Sequence, residues 1–327
     1  MEIFDFGVGF PSIDEGNDFF INCLMTECSA RGMKFIFIGA EALDILTAGI
    51  KNNNFKLKFY LDMASETFVP DDAYCKFNYL LKSVGTRIVA DPDDVKTAAD
   101  KSITHFDLMR AGISVPFTVI IASGERPRDF TEEEKQKLGH SIVVKPALGY
   151  GKRGVKITTY EAIREAITEA RRANMGDTVL VQEFIEPKEI EGSPAWFRVF
   201  NTFGEITPCW WDPNDHTYRE VTVGEIYKHK LLPMIKIIAE IARITRIEWF
   251  SCEVAINKKT NEFVAIDYMN DQCWVNPQSK SSDGIPNDII AHIAERIVEK
   301  AHDYVSHRSV TQQKTGFAIA CGPFWAN

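Results

Sequence analysis

Between Ile142 and Ile157 the chain passes through a β-branched stretch ending in a lysine (Ile142-Val143-Val144-Lys145), a turn carrying Gly149, Gly151 and Gly154, and a second short apolar stretch from Val155. This pattern demands two extended edges with a loop held between them, and it places Tyr150, Lys152 and Arg153 among the glycines. Glycine has no Cβ, so backbone N–H groups in such a loop can approach an anion closely, while Lys145, Lys152 and Arg153 supply positive charge. Two readings fit these residues alone. One is a loop that cradles phosphate, and the other is a β-hairpin whose exposed turn is basic.

The segments on either side alternate in type. Strand patterns at Ile3–Val8, Lys34–Gly39 and Leu57–Leu61, with helix patterns at Asp18–Arg31 and Glu41–Gly49, predict a small parallel α/β unit over residues 1–97. Gly7 and Gly9 do not complete a G-x-G-x-x-G fingerprint, because Ser12 stands where the third glycine would be, so they read as a tight turn out of the first strand. Asp91-Pro92-Asp93-Asp94 marks a turn and a helix start. Residues 98–178 then read as a small α+β unit: a helix from Asp94 to Ala111, a strand Val115–Ile121, a helix Glu132–Leu138, the basic loop, and a helix Tyr160–Ala173. Residues 179–306 read as a larger unit, with a strand Val179–Ile185 and a hairpin of Trp196–Thr202 and Ile206–Trp211 about Phe203-Gly204-Glu205. A helix Leu231–Ile244, strands Trp249–Ile256 and Glu262–Tyr268, and a helix Asn287–His302 follow. Residues 307–327 form a tail of little periodicity.

Three further features bear on the loop. Glu253 and Asp267 fall on two strands joined by a polar turn, and two carboxylates brought together on a covered sheet face repel unless a cation sits between them. Asn270 adds a neutral oxygen; on an uncovered face the same pair would simply be solvated. Lys101 opens a helix, where a lone lysine is ordinarily a surface charge. Gln182 to Ile185 is an extended segment whose backbone could meet a purine edge, with Phe184 and Ile185 as walls, or an ordinary connecting strand.

The net charge of −9 and pI near 5.4 argue against a nucleic-acid partner and require any anion site to be a local basic pocket. Seven scattered cysteines without a C-x-x-C pair point to reduced thiols and a cytoplasmic location. No stretch approaches the roughly 20 apolar residues that span a bilayer, so no membrane association is expected.

The ordered set Lys101, Ile142–Lys145, Gly149–Gly154, Val179–Glu189, Arg198, Glu253 and Asp267–Asn270 resembles the ATP-grasp superfamily, whose members include D-alanine–D-alanine ligase and glutathione synthetase. The resemblance implies an α/β (α+β) ATP-grasp fold with two α+β subdomains behind a small Rossmann-like N-terminal domain. It implies ATP and Mg2+ as cofactors, with Mn2+ as a substitute for Mg2+. By that likeness Lys101 and Lys145 hold the α- and β-phosphates, and the loop Gly149, Tyr150, Gly151, Lys152 to Gly154 closes over the transferring phosphate. Gln182, Glu183, Phe184 and Ile185 form the adenine hinge, with Gln182 near the exocyclic amine, and Glu189 is the ribose acid. Glu253, Asp267 and Asn270 are the metal ligands, and Arg198 steadies the γ-phosphate or an acyl-phosphate; Lys145, Lys152 and Arg198 are thus the catalytic set. Related ligases end the second metal strand with Glu-x-Asn, whereas this chain has Asp267-Tyr268-Met269-Asn270, so Asp271 competes with Asn270 as third ligand. The implied partners are a small-molecule carboxylate, amino-acid-like acids among the candidates, and an amine; a homodimer is left open. The activity implied is amide formation through an acyl-phosphate. Phosphorylation of a small molecule, and ATP binding by a regulatory module without turnover, are the rival activities.

Overall fold

A computed structural model describes residues 1–14, 16–126, 128–149, 151, 153–173, 178–306 and 318–319. The chain separates into two compact units. The first comprises Met1–Lys96, Phe197–Ser251 and Asp271–Asn327, and the second Thr97–Trp196 and Cys252–Asn270.

The first unit is built on a four-stranded sheet in the order Phe35–Ile38, Glu2–Gly9, Phe55–Asp62, Arg87–Val89, with every neighbouring pair parallel. Parallel strands need helical crossovers, which bury both sheet faces. On one side Phe6, Val8, Phe59 and Leu61 pack with Phe20 and Leu24 of the helix Asp18–Ala30 and with Ile290, Ile293 and Ile297 of the helix Asn287–Ser306. On the other, Leu57 and Tyr60 pack with Leu43 and Ile50 of the helix Leu43–Lys51 and with Phe77 and Leu81 of the helix Ala73–Ser83. The same unit holds an antiparallel run of Trp196–Thr202 (from Phe197 on), Glu205–Trp211 and Tyr218–Glu220. Its first turn is Phe203-Gly204, at φ of 53° and 84°, the left-handed pair that a tight two-residue hairpin requires.

Within the second unit a four-stranded antiparallel sheet runs Thr118–Ile121, Val179–Glu183, Ile142–Pro146, Lys156–Thr158. The amphipathic helix Ile163–Ala173 covers it with Ile163, Ala166, Ile167 and Ala170, against Val119, Ile121, Ile142, Val144, Val179 and Val181. Phe263–Asn270 is the neighbour of the strand Trp249–Ile256, whose residues from Cys252 belong to this unit.

Local chemistry changes several expected elements. The single helix expected from Asp94 to Ala111 is two helices, Pro92–Ala98 and Lys101–Arg110. The break falls at Asp100, whose carboxylate accepts from the backbone N–H of Ser102 and Ile103 and so caps the second helix. The helix expected to close at Gly49 runs on to Lys51, after a short 3-10 turn at Ala40–Ala42. The helix Ala73–Ser83 and the strand Arg87–Val89 have no counterpart among the elements expected from the sequence. Neither has the helix Val223–Lys228, although its capping box of Thr222 and Glu225 is a sequence signal. Among the described residues no helix is long and apolar enough to cross a membrane.

Gly284 is fixed by close backbone approach. A Cβ there would lie 2.5 to 2.6 Å from the carbonyl carbon and oxygen of Pro277 and the nitrogen of Gln278, where the chain pairs Pro277 with Ile285. Backbone cannot step aside as a flexible side chain can, so Gly284→Ala is expected to cost about 3 kcal/mol of stability. Urea unfolding of the variant measures it; an unchanged midpoint would show that the loop relaxes freely.

Candidate functional site

The chemistry of the second unit centres on Lys145. The strand Ile142–Pro146 alternates its side chains, so Ile142 and Val144 enter the core beneath the helix and Lys145 faces the other way. That direction is also covered, since Lys145 is only 6% exposed. Its ammonium donates to the carbonyl of Ile266 at 3.1 Å and lies 5.3 Å from the ring centre of Tyr268. Burial pushes its pKa down to about 8, and the nearby ammonium of Lys101 pushes the same way. Asp267, Glu253 and Cys252 oppose the shift and favour the charged form, Asp267 the most. Two lysines and two carboxylates are thus within electrostatic reach of one another, and their formal charges cancel.

Lys101 stands at the first turn of its capped helix, where its backbone N–H donates to Ala147 at 3.0 Å and its ammonium to the carbonyl of Gly149 at 2.8 Å. A lysine that the sequence could not distinguish from a surface charge is therefore tied to the start of the glycine loop. Gly149, Gly151 and Gly154 have φ of 135°, 63° and 73°, a backbone that side-chain-bearing residues rarely adopt. Tyr150 and Lys152 lie outside the described residues. Glu253 is the one partly exposed residue of its strand, and its carboxylate accepts from the indole N–H of Trp196 at 3.3 Å.

Asp267 and Asn270 are three positions apart, and in a regular strand such residues stand on opposite faces. Exposure along Phe263–Asn270 runs in buried and half-buried doublets, Val264-Ala265 and Tyr268-Met269 buried, Ile266-Asp267 half-buried, so the strand does not alternate regularly. Asn270 closes the strand in this unit, whereas Asp271 belongs to the first unit, as does Arg198. Arg198 pairs with Cys209 across the hairpin, and its positive charge reaches Cys273.

The expected adenine hinge holds internal bonds of its own. Gln182 is 2% exposed, and its amide nitrogen donates to Thr118 Oγ1 at 2.8 Å and Tyr268 Oη at 3.1 Å. Glu183 donates its N–H to the carbonyl of Phe117 and accepts the Phe117 N–H on its carboxylate, at 2.9 and 3.0 Å. Ile185 is buried, Phe184 is 38% exposed, and Glu189 is exposed on the two-residue strand Glu189–Ile190. Tyr268 and His105, to which the sequence assigns no role, belong to the same cluster: His105 Nδ1 lies 2.6 Å from Tyr268 Oη. The sequence signals were present, for His105 follows Lys101 by one helical turn and Tyr268 follows Asp267.

The fold of the chain is similar to solved structures along nearly its whole length. An ATP complex of D-alanine–D-alanine ligase from Bacillus anthracis aligns at a TM-score of 0.62 over 93% of this chain and 99% of that one, with 15% identity. A RimK-domain ATP-grasp protein from Sphaerobacter thermophilus aligns at 0.59 over 90% and 98%, with 20% identity. The chain has the ATP-grasp fold. D-Cycloserine synthetase shares this ATP-grasp architecture at a TM-score of 0.62 over 92% and 100%, with 16% identity. No protein-family model and no curated sequence matches the chain.

The fold implies a divalent metal. Among the described residues no group of three or more His, Cys, Asp or Glu stands together as a metal site. A donor set of two half-buried carboxylates and one amide oxygen is nonetheless the all-oxygen chemistry that a hard cation takes, and Glu253 and Asp267 act on one common lysine.

Proposed function

We propose that this ATP-grasp protein is an ATP-dependent ligase that joins a carboxylate to an amine. The observation that carries the reading is the buried Lys145, within electrostatic reach of the acids Glu253 and Asp267 and of the second lysine Lys101, which is bonded to the start of the glycine loop. A triphosphate brings about four negative charges, more than the two lysines, offset by two carboxylates, can neutralise, so a bound cation is part of the reading. Glu253, Asp267 and Asn270 are the residues that would hold that Mg2+, for which Mn2+ could substitute; when bound it supplies positive charge against the phosphate oxygens. Lys145 and Lys101 hold the inner phosphates, Arg198 steadies the transferring group, and the loop from Gly149 to Gly154, with Lys152, excludes water. Glu183 commits its N–H to Phe117, so a purine edge here is met by other backbone atoms of the segment ending at Ile185, with Phe184 as a wall and Glu189 toward the ribose.

In the proposed reaction a carboxylate oxygen of the substrate attacks the γ-phosphorus and ADP leaves, giving an acyl-phosphate. The amine nitrogen then attacks the acyl carbon, phosphate departs and the amine loses a proton. The neighbours named above act in their own right as D-alanine–D-alanine ligase and D-cycloserine synthetase, which favours small amino-acid-like acids as the first compounds to test. Hydroxylamine offered as the amine, with ATP, Mg2+ and a panel of such acids, is expected to give hydroxamate in step with ADP. ADP without hydroxamate and with a phosphorylated hydroxyl would assign a kinase instead. Thermal stabilisation by ATP and Mg2+ without any ADP would assign a binding module.

A further inference from the structure

His105 and Tyr268, buried in the second unit at 2% and 1% exposed, have no part in the reaction as proposed, and Gln182, 2% exposed on the expected hinge strand, turns its amide nitrogen to Thr118 and Tyr268. Placing such groups in a core is costly unless each donor meets an acceptor. Here the polarity of the chain of bonds can be followed atom by atom. Thr118 Oγ1 donates to the carbonyl of Pro116 at 2.8 Å, so it accepts from Gln182 Nε2. The same amide nitrogen gives its second proton to Tyr268 Oη. The phenolic proton is then assigned to His105 Nδ1, as the acceptor nitrogen of a neutral ring, because that assignment gives every proton of the chain an acceptor. Burial and the charge of Lys145 hold His105 in that form, with its pKa lowered to about 4.

We propose that the Tyr268 hydroxyl positions both phosphate-site lysines, with His105 and Gln182 as the positioning residues that hold it. The inference rests on the nucleotide reading given above. The Tyr268 ring lies beneath the Lys145 ammonium, which also binds the carbonyl of Ile266 two residues earlier on the same strand. The hydroxyl at the far end of that ring grips His105, one helical turn beyond Lys101. A single oxygen therefore links the helix that carries Lys101 to the strand on which Lys145 rests. Gln182 ties the hinge strand to the same point. Removing the hydroxyl leaves the ring in place but frees the helix to shift, and the spacing of two charges that must fit one polyphosphate is lost. It also orphans a buried N–H and a buried ring nitrogen.

The test is a titration of ATP with Mg2+ by calorimetry on Tyr268→Phe, His105→Leu and His105→Asn, with thermal unfolding and steady-state ADP release on the same samples. Asparagine Oδ1 occupies the position of histidine Nδ1, so His105→Asn keeps an acceptor for the phenol while His105→Leu does not. Tyr268→Phe and His105→Leu are expected to weaken ATP binding about tenfold, matching the loss of one buried hydrogen bond. They should raise KM for ATP accordingly, and the double variant should be no weaker than either alone, because both remove the same bond. His105→Asn should bind within about twofold of the wild type. Lowered thermal stability with unchanged ATP affinity in Tyr268→Phe, or a His105→Asn as weak as His105→Leu, would overturn the proposal. If His105→Leu does not fold, Tyr268→Phe, which removes one oxygen, decides alone. Failure of the wild type to bind ATP would instead refute the nucleotide reading, and this inference with it.

Discussion

Lys145→Ala is expected to lower ATP-dependent ADP release by about a thousandfold, at the upper end of what one preorganised charge contributes to a transition state. The size of the effect follows from burial. The ammonium of a lysine that is 6% exposed acts through a medium that screens it far less than water does. The fold should survive the change. Burial already disfavours the charge, as the pKa of about 8 records, so removing it relieves a desolvation cost while leaving a small cavity. Circular dichroism and thermal unfolding near those of the wild type, with ADP release at background, are the expected pair of measurements. ADP release at the wild-type rate would dismiss the whole site assignment.

Asp267→Asn is expected to cut turnover about a hundredfold and to move the alkaline side of its pH profile to lower pH. Lys145 has a folded pKa depressed below 10.5, so its ammonium is present below about pH 8 and is lost as pH rises through that value; activity that depends on the ammonium falls on the alkaline side. Asp267 is the strongest of the charges that favour the ammonium. Without it Lys145 deprotonates at a lower pH, and the fall in kcat/KM begins earlier. The variant should also require more Mg2+ for half-maximal rate. Asp267→Glu, which keeps the charge, should restore the wild-type pH limb even if turnover stays low. An Asp267→Asn profile with its alkaline limb unmoved would show that the two groups are not coupled.

The two substitutions lie at positions that differ in how far they could be read in advance. The run Ile142-Val143-Val144-Lys145 declares a strand by composition, and the structure has that strand. Residues 1–97 likewise declare their parallel sheet through short apolar runs separated by helical periodicity, and the observed strand order is wholly parallel. Elements whose signal lay in a single polar side chain were harder. Asp100 ends one helix and starts another through two hydrogen bonds, and an aspartate inside a helical pattern looks the same whether or not its oxygen finds those N–H groups. Gln182 shows the same limit: its place on a strand was legible, but not that its amide turns inward to Thr118 and Tyr268.

By itself the sequence determined the order of the strands and helices around Lys145, the glycine positions of the loop and the alternation that makes each strand. These depend on torsional freedom and on the period with which side chains leave the backbone, which are local properties. The tertiary structure alone decided which charges act together. It joins Cys252–Asn270 to Thr97–Trp196, sets the Lys145 ammonium on a carbonyl 121 residues away, and makes a pinned tyrosine out of what looked like spacing between two metal ligands. Coulomb energy and desolvation depend on distance and burial in space, and neither is encoded in separation along the chain.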